Sequence, residues 1–244
     1  MPNENMTTIA IVGQKGGAGK TTLARVLASA ALASKQRVHV IDTDPQSAFS
    51  RWYARVSKNG GGALPEDRFH IEVQHDADAL AARVDELYEA GDTDLVLIDT
   101  KGELTEWTGK VMREADRLIM PVMPTPTDIE IQLQTLDFYE DLREMHPDDF
   151  PPLACVLTRV PPNGKRSKAE ERSVAEIASQ FPIVPTVLVA RASYIKMDEE
   201  GFLHVLRQRI AENPAERLQV KNIEETLSEA VDIFNEVMEF TDEG

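Results

Sequence analysis

The chain has 244 residues, 42% of them hydrophobic and 28% charged, with 26 basic against 42 acidic side chains and a net charge of −16. That is the composition of a folded chain of one to two domains, and its single cysteine, Cys155, excludes an internal disulfide, a multi-thiolate zinc site or an iron–sulfur cluster held within one chain. No apolar run nears the roughly 18 residues of a membrane span, and the acidity opposes a general nucleic-acid coat.

Residues 7–13 (TTIAIVG) form the first predicted strand and residues 20–34 the first helix. A strand at 37–42 (RVHVID) follows, then a weaker one at 69–73 (FHIEV) and a helix near 76–90. Strands at 94–99 (DLVLID) and 117–122 (RLIMPV) lead to a helix over 127–145. Thr127-Asp128-Ile129-Glu130 has capping-box spacing, so that helix is expected to start there. Strands at 153–158 and 185–189, helices at 168–180 and within 196–211, and a last helix at 222–240 complete the pattern. Loops are read at 59–62 and 161–164 from their glycines and prolines. Strands apolar on both faces, alternating with helices, imply an α/β fold: a doubly wound, mostly parallel sheet with helices on both faces, one domain over 1–244. Residues 221–244 hold one basic and eight acidic side chains, an acidic helix whose apolar positions (Ile223, Leu227, Val231, Phe234, Met238) pack on the domain. The polar start, MPNENM, is too short for a signal peptide, and the chain reads as soluble and cytoplasmic.

Gly13-Gln14-Lys15-Gly16-Gly17-Ala18-Gly19-Lys20-Thr21-Thr22 joins a strand to a helix as a phosphate loop does, with Gly13 taken as its opening glycine. Gly16, Gly17, Ala18 and Gly19 let backbone amides converge on a β-phosphate, and the helix amino terminus adds its dipole. Lys20 is suited to neutralise β- and γ-phosphate oxygens, and the Thr21 hydroxyl to ligate Mg²⁺. Asp42 and Asp44 close one strand and Asp99 another, where carboxylates face the ligand crevice of such a sheet. Asp99 ends a Walker B-like run and is expected to hold a Mg²⁺-bound water. The five histidines show no metal-binding spacing.

Lys15 with Gly16-Gly17 goes beyond the generic loop, and here the sequence resembles the deviant Walker A family, KGGxGKT, of ParA partition ATPases and the cell-division regulator MinD. The resemblance implies a P-loop NTPase fold, ATP and Mg²⁺ as cofactors, slow ATP hydrolysis, and an ATP-sandwich homodimer in which Lys15 reaches the partner's phosphates. Asp44, in the family's DxDPQ motif, would position the attacking water, with Asp42 supporting the metal shell. Thr22 would join the loop's contacts, and Thr158 and Arg159 stand where the family's base-contacting strand end lies. Residues 121–128 (PVMPTPTD), Trp52, and Arg191-Ala192-Ser193-Tyr194-Ile195-Lys196 are similar to short ParF-like partition ATPases. Asp99-Thr100-Lys101-Gly102 and Glu200-Gly201-Phe202-Leu203-His204 are similar to a VirC-type paralogue that assists T-DNA processing and conjugative transfer. Many ParA proteins carry a proline pair after the Walker B aspartate, where this chain has Thr100-Lys101.

These readings predict a partition or positioning ATPase, nucleoid-associated, that binds DNA non-specifically as a dimer and releases it when a ParB-like or other small adaptor stimulates hydrolysis. Arg159, Lys165, Arg166, Lys168 and Arg172 form a basic run in an acidic chain, and Lys165, Arg166, Lys168, Arg191 and Lys196 are the candidate DNA contacts. A VirC-like ATPase recruiting a DNA-transfer complex is the alternative. A MinD-like membrane switch is disfavoured, because an acidic last helix repels anionic lipid; no membrane partner is expected. The short amino end leaves no room for a helix-turn-helix extension, so operator reading is not expected.

Overall fold

The computed structural model describes residues 1–14, 19–58, 68–147, 150–162, 166–213 and 217–241. Its strands are β1 (Thr7–Ile11), β2 (Val38–Asp42), β3 (Phe69–Val73), β4 (Leu95–Asp99), β5 (Arg117–Val122) and β6 (Leu153–Leu157). Its helices are α1 (Lys20–Ala33), α2 (Ala48–Lys58), α3 (Ala77–Ala90), α4 (Glu106–Arg113), α5 (Pro126–Met145), α6 (Lys168–Gln180), α7 (Ala192–Glu200), α8 (Leu203–Glu212) and α9 (Arg217–Glu239). The strands form one sheet in the order β3-β2-β4-β1-β5-β6, with every pairing parallel.

Successive side chains of a strand point to opposite faces, so each inner strand feeds two cores. Ile9, Ile11, Val40 and Leu97 pack with α1, α2, α7, α8 and α9. Ala10, Val12, Ile41 and Ile98 pack with α3, α4, α5 and α6. Cys155, in the middle of β6, is fully buried in the second core. The α9 helix presses Ile223, Ala230, Ile233, Phe234 and Val237 into the first core, chiefly against α1 and α8. No helix among the described residues is long and apolar enough to cross a membrane.

The structure departs from the sequence reading in a few places. Residues 185–189 do not form a strand. Pro182 and Pro185 carry no amide hydrogen, and the Thr186 amide is taken by Glu236 at 2.9 Å. Scattered bonds to the β6 side remain, from Val184, Leu188 and Ala190 to the carbonyls of Cys155, Leu157 and Val160. Helix α5 starts at Pro126, not Thr127: the fixed φ of proline suits the first helical position, and Thr125 caps it by accepting from the Asp128 amide. The capping box occurs at α6 instead, where Ser167 accepts from the Glu170 amide and Glu170 accepts from the Ser167 amide. The helix expected within 196–211 is two, α7 and α8, broken at Gly201, whose φ of 117° favours glycine. Helices α2 and α4 have no counterpart among the elements the sequence predicts. The loop at 59–62 lies outside the described residues, as does the 163–164 part of the other.

This topology places the carboxyl ends of β2, β4 and β1 side by side. Asp99 is the register partner of Asp42 on one side and of Ile11 on the other. Residues far apart in sequence thus meet at one level, at the mouth of the crevice where such sheets take ligands.

Candidate nucleotide-binding site

The chain leaves β1 through Gly13, whose φ of 139° is a conformation that side chains resist. A Cβ there would also stand 3.1 Å from Gln132 Oε1, so α5 crowds the entrance of the loop. The next amide, of Gln14, donates to the Thr135 hydroxyl at 3.1 Å. Counted back from Gly19, the opening position of the phosphate loop falls on Gln14: five residues separate Gly13 from Gly19, one more than the pattern has. Gly13 is therefore the hinge before the loop rather than its first residue. Lys15, Gly16, Gly17 and Ala18 lie outside the described residues.

Gly19, at φ 96°, caps α1 without a side-chain bond, and the first turn holds no acidic residue. Its amides and dipole are suited to an anion. Lys20 is buried, and its ammonium donates to the Gly13 carbonyl at 3.0 Å. Burial lowers the Lys20 pKa, against the opposing pull of Asp99 and then Asp44. The three groups read from separate motifs are thus electrostatic neighbours.

Asp99 is almost fully enclosed. Burial pushes its pKa up to about 7, aided by the Asp42 charge and opposed by the Thr21 hydroxyl, which donates to it, and by Lys20 and Arg25. Its Oδ2 is buried and meets no donor among the described residues. Such an oxygen carries a desolvation cost that a cation's bound water would relieve. The donor set, a carboxylate with a threonine hydroxyl beside it, also suits Mg²⁺, which binds through one or two carboxylates and substrate phosphates. The residues therefore fit the ion. Among the described residues no group of three metal-ligating side chains exists, so the chain itself supplies only a few donors.

Asp42 is fully buried and accepts from two amides, Asp44 at 3.2 Å and Ser50 at 2.9 Å. It fixes the backbone of the Asp44 loop and the start of α2. Asp44 is only partly buried, and its Oδ1 accepts from the Gln46 amide at 2.7 Å. Between these aspartates, Thr43 donates to the Asp99 carbonyl at 3.0 Å and accepts from the Lys101 amide at 3.2 Å. Thr100 donates to the Ile11 carbonyl at 2.6 Å, tying the end of β4 to the end of β1. Lys101 pairs with Glu103 at 3.2 Å and lies 4.5 Å from the Trp107 ring centroid. The segment that replaces the proline pair is thus closed by side chains.

Beyond the loop opens a cleft of about 480 Å³, whose lining includes Gly19, Thr22, Thr158, Arg159 and, from the 188–198 segment, Tyr194. Thr22, Thr158 and Arg159 thus meet at one cleft. Residue Arg159 holds a φ of 53°, a left-handed turn immediately beyond β6.

The candidate DNA residues divide. Lys168 is exposed on α6, and Arg166 is partly buried, donating to the Pro161 carbonyl at 3.3 Å. Lys165 lies outside the described residues, and Lys196 on α7 is partly buried. Arg191 is no open charge: it bonds Glu225 at 2.7 Å and Glu229 at 2.5 Å, both on α9. The acidic helix neutralises the cation that the sequence pattern assigned to an outward patch. Thr43, Gln132 and Thr135 escaped the sequence reading. No local signal marks Thr135, which meets the loop from 121 positions away.

A parallel sheet of this order, with a phosphate loop after β1 and aspartates ending β2 and β4, defines a P-loop protein of the ParA/MinD type. A family model described as VirC1 protein matches residues 6–243, and the chain belongs to that family. It is 27% identical over 217 residues to Protein virC1 of Rhizobium radiobacter, covering 89% of this chain and 91% of that protein. It is also 27% identical over 202 residues to the maintenance of carboxysome distribution protein A of Halothiobacillus neapolitanus, covering 82% and 88%. The solved ATP complex of a Cyanothece McdA variant shares the fold, with a TM-score of 0.65 and 20% identity over 92% of this chain and 97% of that one. The chain thus falls among the partition and positioning ATPases.

Proposed function

We propose that the chain is an ATP-hydrolysing positioning switch. It pairs with a second copy across bound ATP, holds DNA without regard to sequence in that state, and lets go when a small adaptor protein accelerates hydrolysis. The observation that carries this is the convergence of Lys20, Asp44 and Asp99 at the head of α1, with a buried Asp99 oxygen left for a cation's water. Lys20 exchanges the Gly13 carbonyl for phosphate oxygens, and Thr21 with Asp99 holds the Mg²⁺ shell. Bound Mg²⁺ supplies charge neutralisation on the β- and γ-phosphates. Asp44, held from behind by Asp42, orients the attacking water, and Lys15 reaches the partner's phosphates. The cleft beside Thr158 and Arg159 receives the base.

Arg166, Lys168 and Arg172 supply the phosphate contacts of the DNA face, joined by Lys165 and doubled by dimerisation. Arg191 is left out, its charge being committed to α9. Membership of the VirC1 family favours a DNA-transfer complex as the cargo over a plasmid, a second reading within the same mechanism. The test is fluorescence anisotropy on random-sequence duplex at two salt concentrations, with ATP and with ADP. Binding should require ATP and fall steeply with salt. Equal binding in both nucleotide states, or none in either, would overturn the DNA-carrier reading.

A further inference from the structure

One buried cation near the site has no part in the mechanism above. Arg25, on α1 one turn beyond Thr21, has a side chain only 10% exposed. It donates to Asp198 of α7 at 2.8 Å and to the Ala48 carbonyl at 3.1 Å. Its guanidinium lies 4.5 Å from the Trp52 ring centroid. Burying a guanidinium costs several kcal/mol, and an apolar side chain of like volume is often as stable or more so. Packing on Trp52 alone is therefore a poor reason for a charge here.

What the charge does is join three pieces. Helix α1 starts at the phosphate loop. Ala48 opens α2, four residues after Asp44. Asp198 lines the cleft with Tyr194 and Met197. The Trp52 indole N–H ties α2 to α7 a second time, donating to the carbonyls of Met197 at 3.1 Å and Asp198 at 3.0 Å. Asp42 grips the same loop from the other side, through the Asp44 and Ser50 amides. The segment bearing Asp44 is thus clamped between the sheet and the wall of the cleft.

We propose that Arg25 is a positioning residue that makes the α7 wall of the cleft and the Asp44 loop one mechanical unit, so that Asp44 aligns with the attacking water when a purine base fills the cleft against α7. This rests on the ATPase reading. The test compares ATP affinity by calorimetry with kcat in Arg25→Met, Asp198→Asn, the double variant and Arg55→Ala. Arg55, near the far end of α2, also bonds Asp198 at 2.9 Å, but both side chains of that pair are half-exposed, so solvent screens it and it adds little to the buried tie through Arg25. Both single variants at the Arg25–Asp198 pair should lose about ten-fold in kcat with ATP Kd within about two-fold. The double variant should lose no more than the worse single, and Arg55→Ala should match the wild type. An unchanged kcat, kcat and affinity falling together, or additive losses would overturn the proposal. Thermal melts monitor folding, and Asp198→Asn, changed at a half-exposed residue, decides the matter if Arg25→Met folds poorly. No turnover in the wild type would overturn the ATPase reading itself, and a fully active Asp44→Ala would remove the water-positioning role on which the coupling depends, whereas an inactive Asp44→Ala beside a fully active Arg25→Met sinks only the coupling.

Discussion

Replacing Asp99 with asparagine removes a carboxylate whose pKa burial raises from 3.8 to about 7. Because the folded value exceeds the unfolded one, the unfolded chain gives up this proton first as pH rises. The group thus erodes stability from about pH 4 to about pH 7 and levels off above. Between pH 5 and pH 8 about two units of that shift are felt, which at about 1.36 kcal/mol per unit is ~3 kcal/mol. The amide has no such titration. Its NH₂ takes the place of an oxygen without a described donor, and any cost of leaving it unpaired, about 1–3 kcal/mol, is independent of pH and cancels in the comparison. For a chain of this size about 2–4 °C accompanies each kcal/mol. In nucleotide-free, EDTA-treated protein, the melting temperature of Asp99→Asn minus that of the wild type should therefore widen by about 6–12 °C from pH 5 to pH 8. Scanning calorimetry at the two pH values measures it. A gap that stays constant, or narrows as pH rises, would refute the assignment of a protonated, desolvated carboxyl at this position. With ATP and Mg²⁺ the ranking should reverse, since the wild type alone keeps its charge for the metal shell.

Lys20→Ala should abolish ATP binding by isothermal titration, because the loop loses the cation nearest the phosphates. Asp44→Ala should keep ATP affinity but lose turnover, leaving a persistent ATP-bound dimer on size-exclusion chromatography. Ser167→Ala removes the reciprocal cap of α6 and should cost about 1 kcal/mol, read as a drop of about 2–4 °C in the thermal midpoint with ATP affinity unchanged.

The sheet was legible because β1, β2 and β4 are apolar on both faces, which only a doubly covered parallel sheet requires. That Lys20, Asp42 and Asp99 would meet at one edge of the sheet was legible because the carboxyl ends of parallel strands face one crevice in this architecture. What escaped depends on partners far along the chain. Pro185–Val189 has strand composition, yet its Thr186 amide is claimed by Glu236, fifty positions on. Arg191 has the spacing of a recognition motif, but only the docked α9 reveals that Glu225 and Glu229 own its charge. Helix α2 was hidden behind Asp44-Pro45, a turn signal that ends a strand and carries no sign of a helix beyond it. Its start is secured by Asp42 accepting from Ser50, a bond between residues eight apart that no periodicity encodes.

Cys155 turns the border of the sheet into something chemically readable. Burial holds its thiol far above the ordinary range, so an aqueous disulfide reagent finds no thiolate while β6 stays in place. Labelling then proceeds through transient opening of that strand, and its rate measures how often the border unzips. Thr158 and Arg159 continue directly from β6 into the cleft, three and four residues past the sulfur. A ligand seated there is expected to slow that opening, so that the labelling rate of a native thiol reports occupancy without any introduced label.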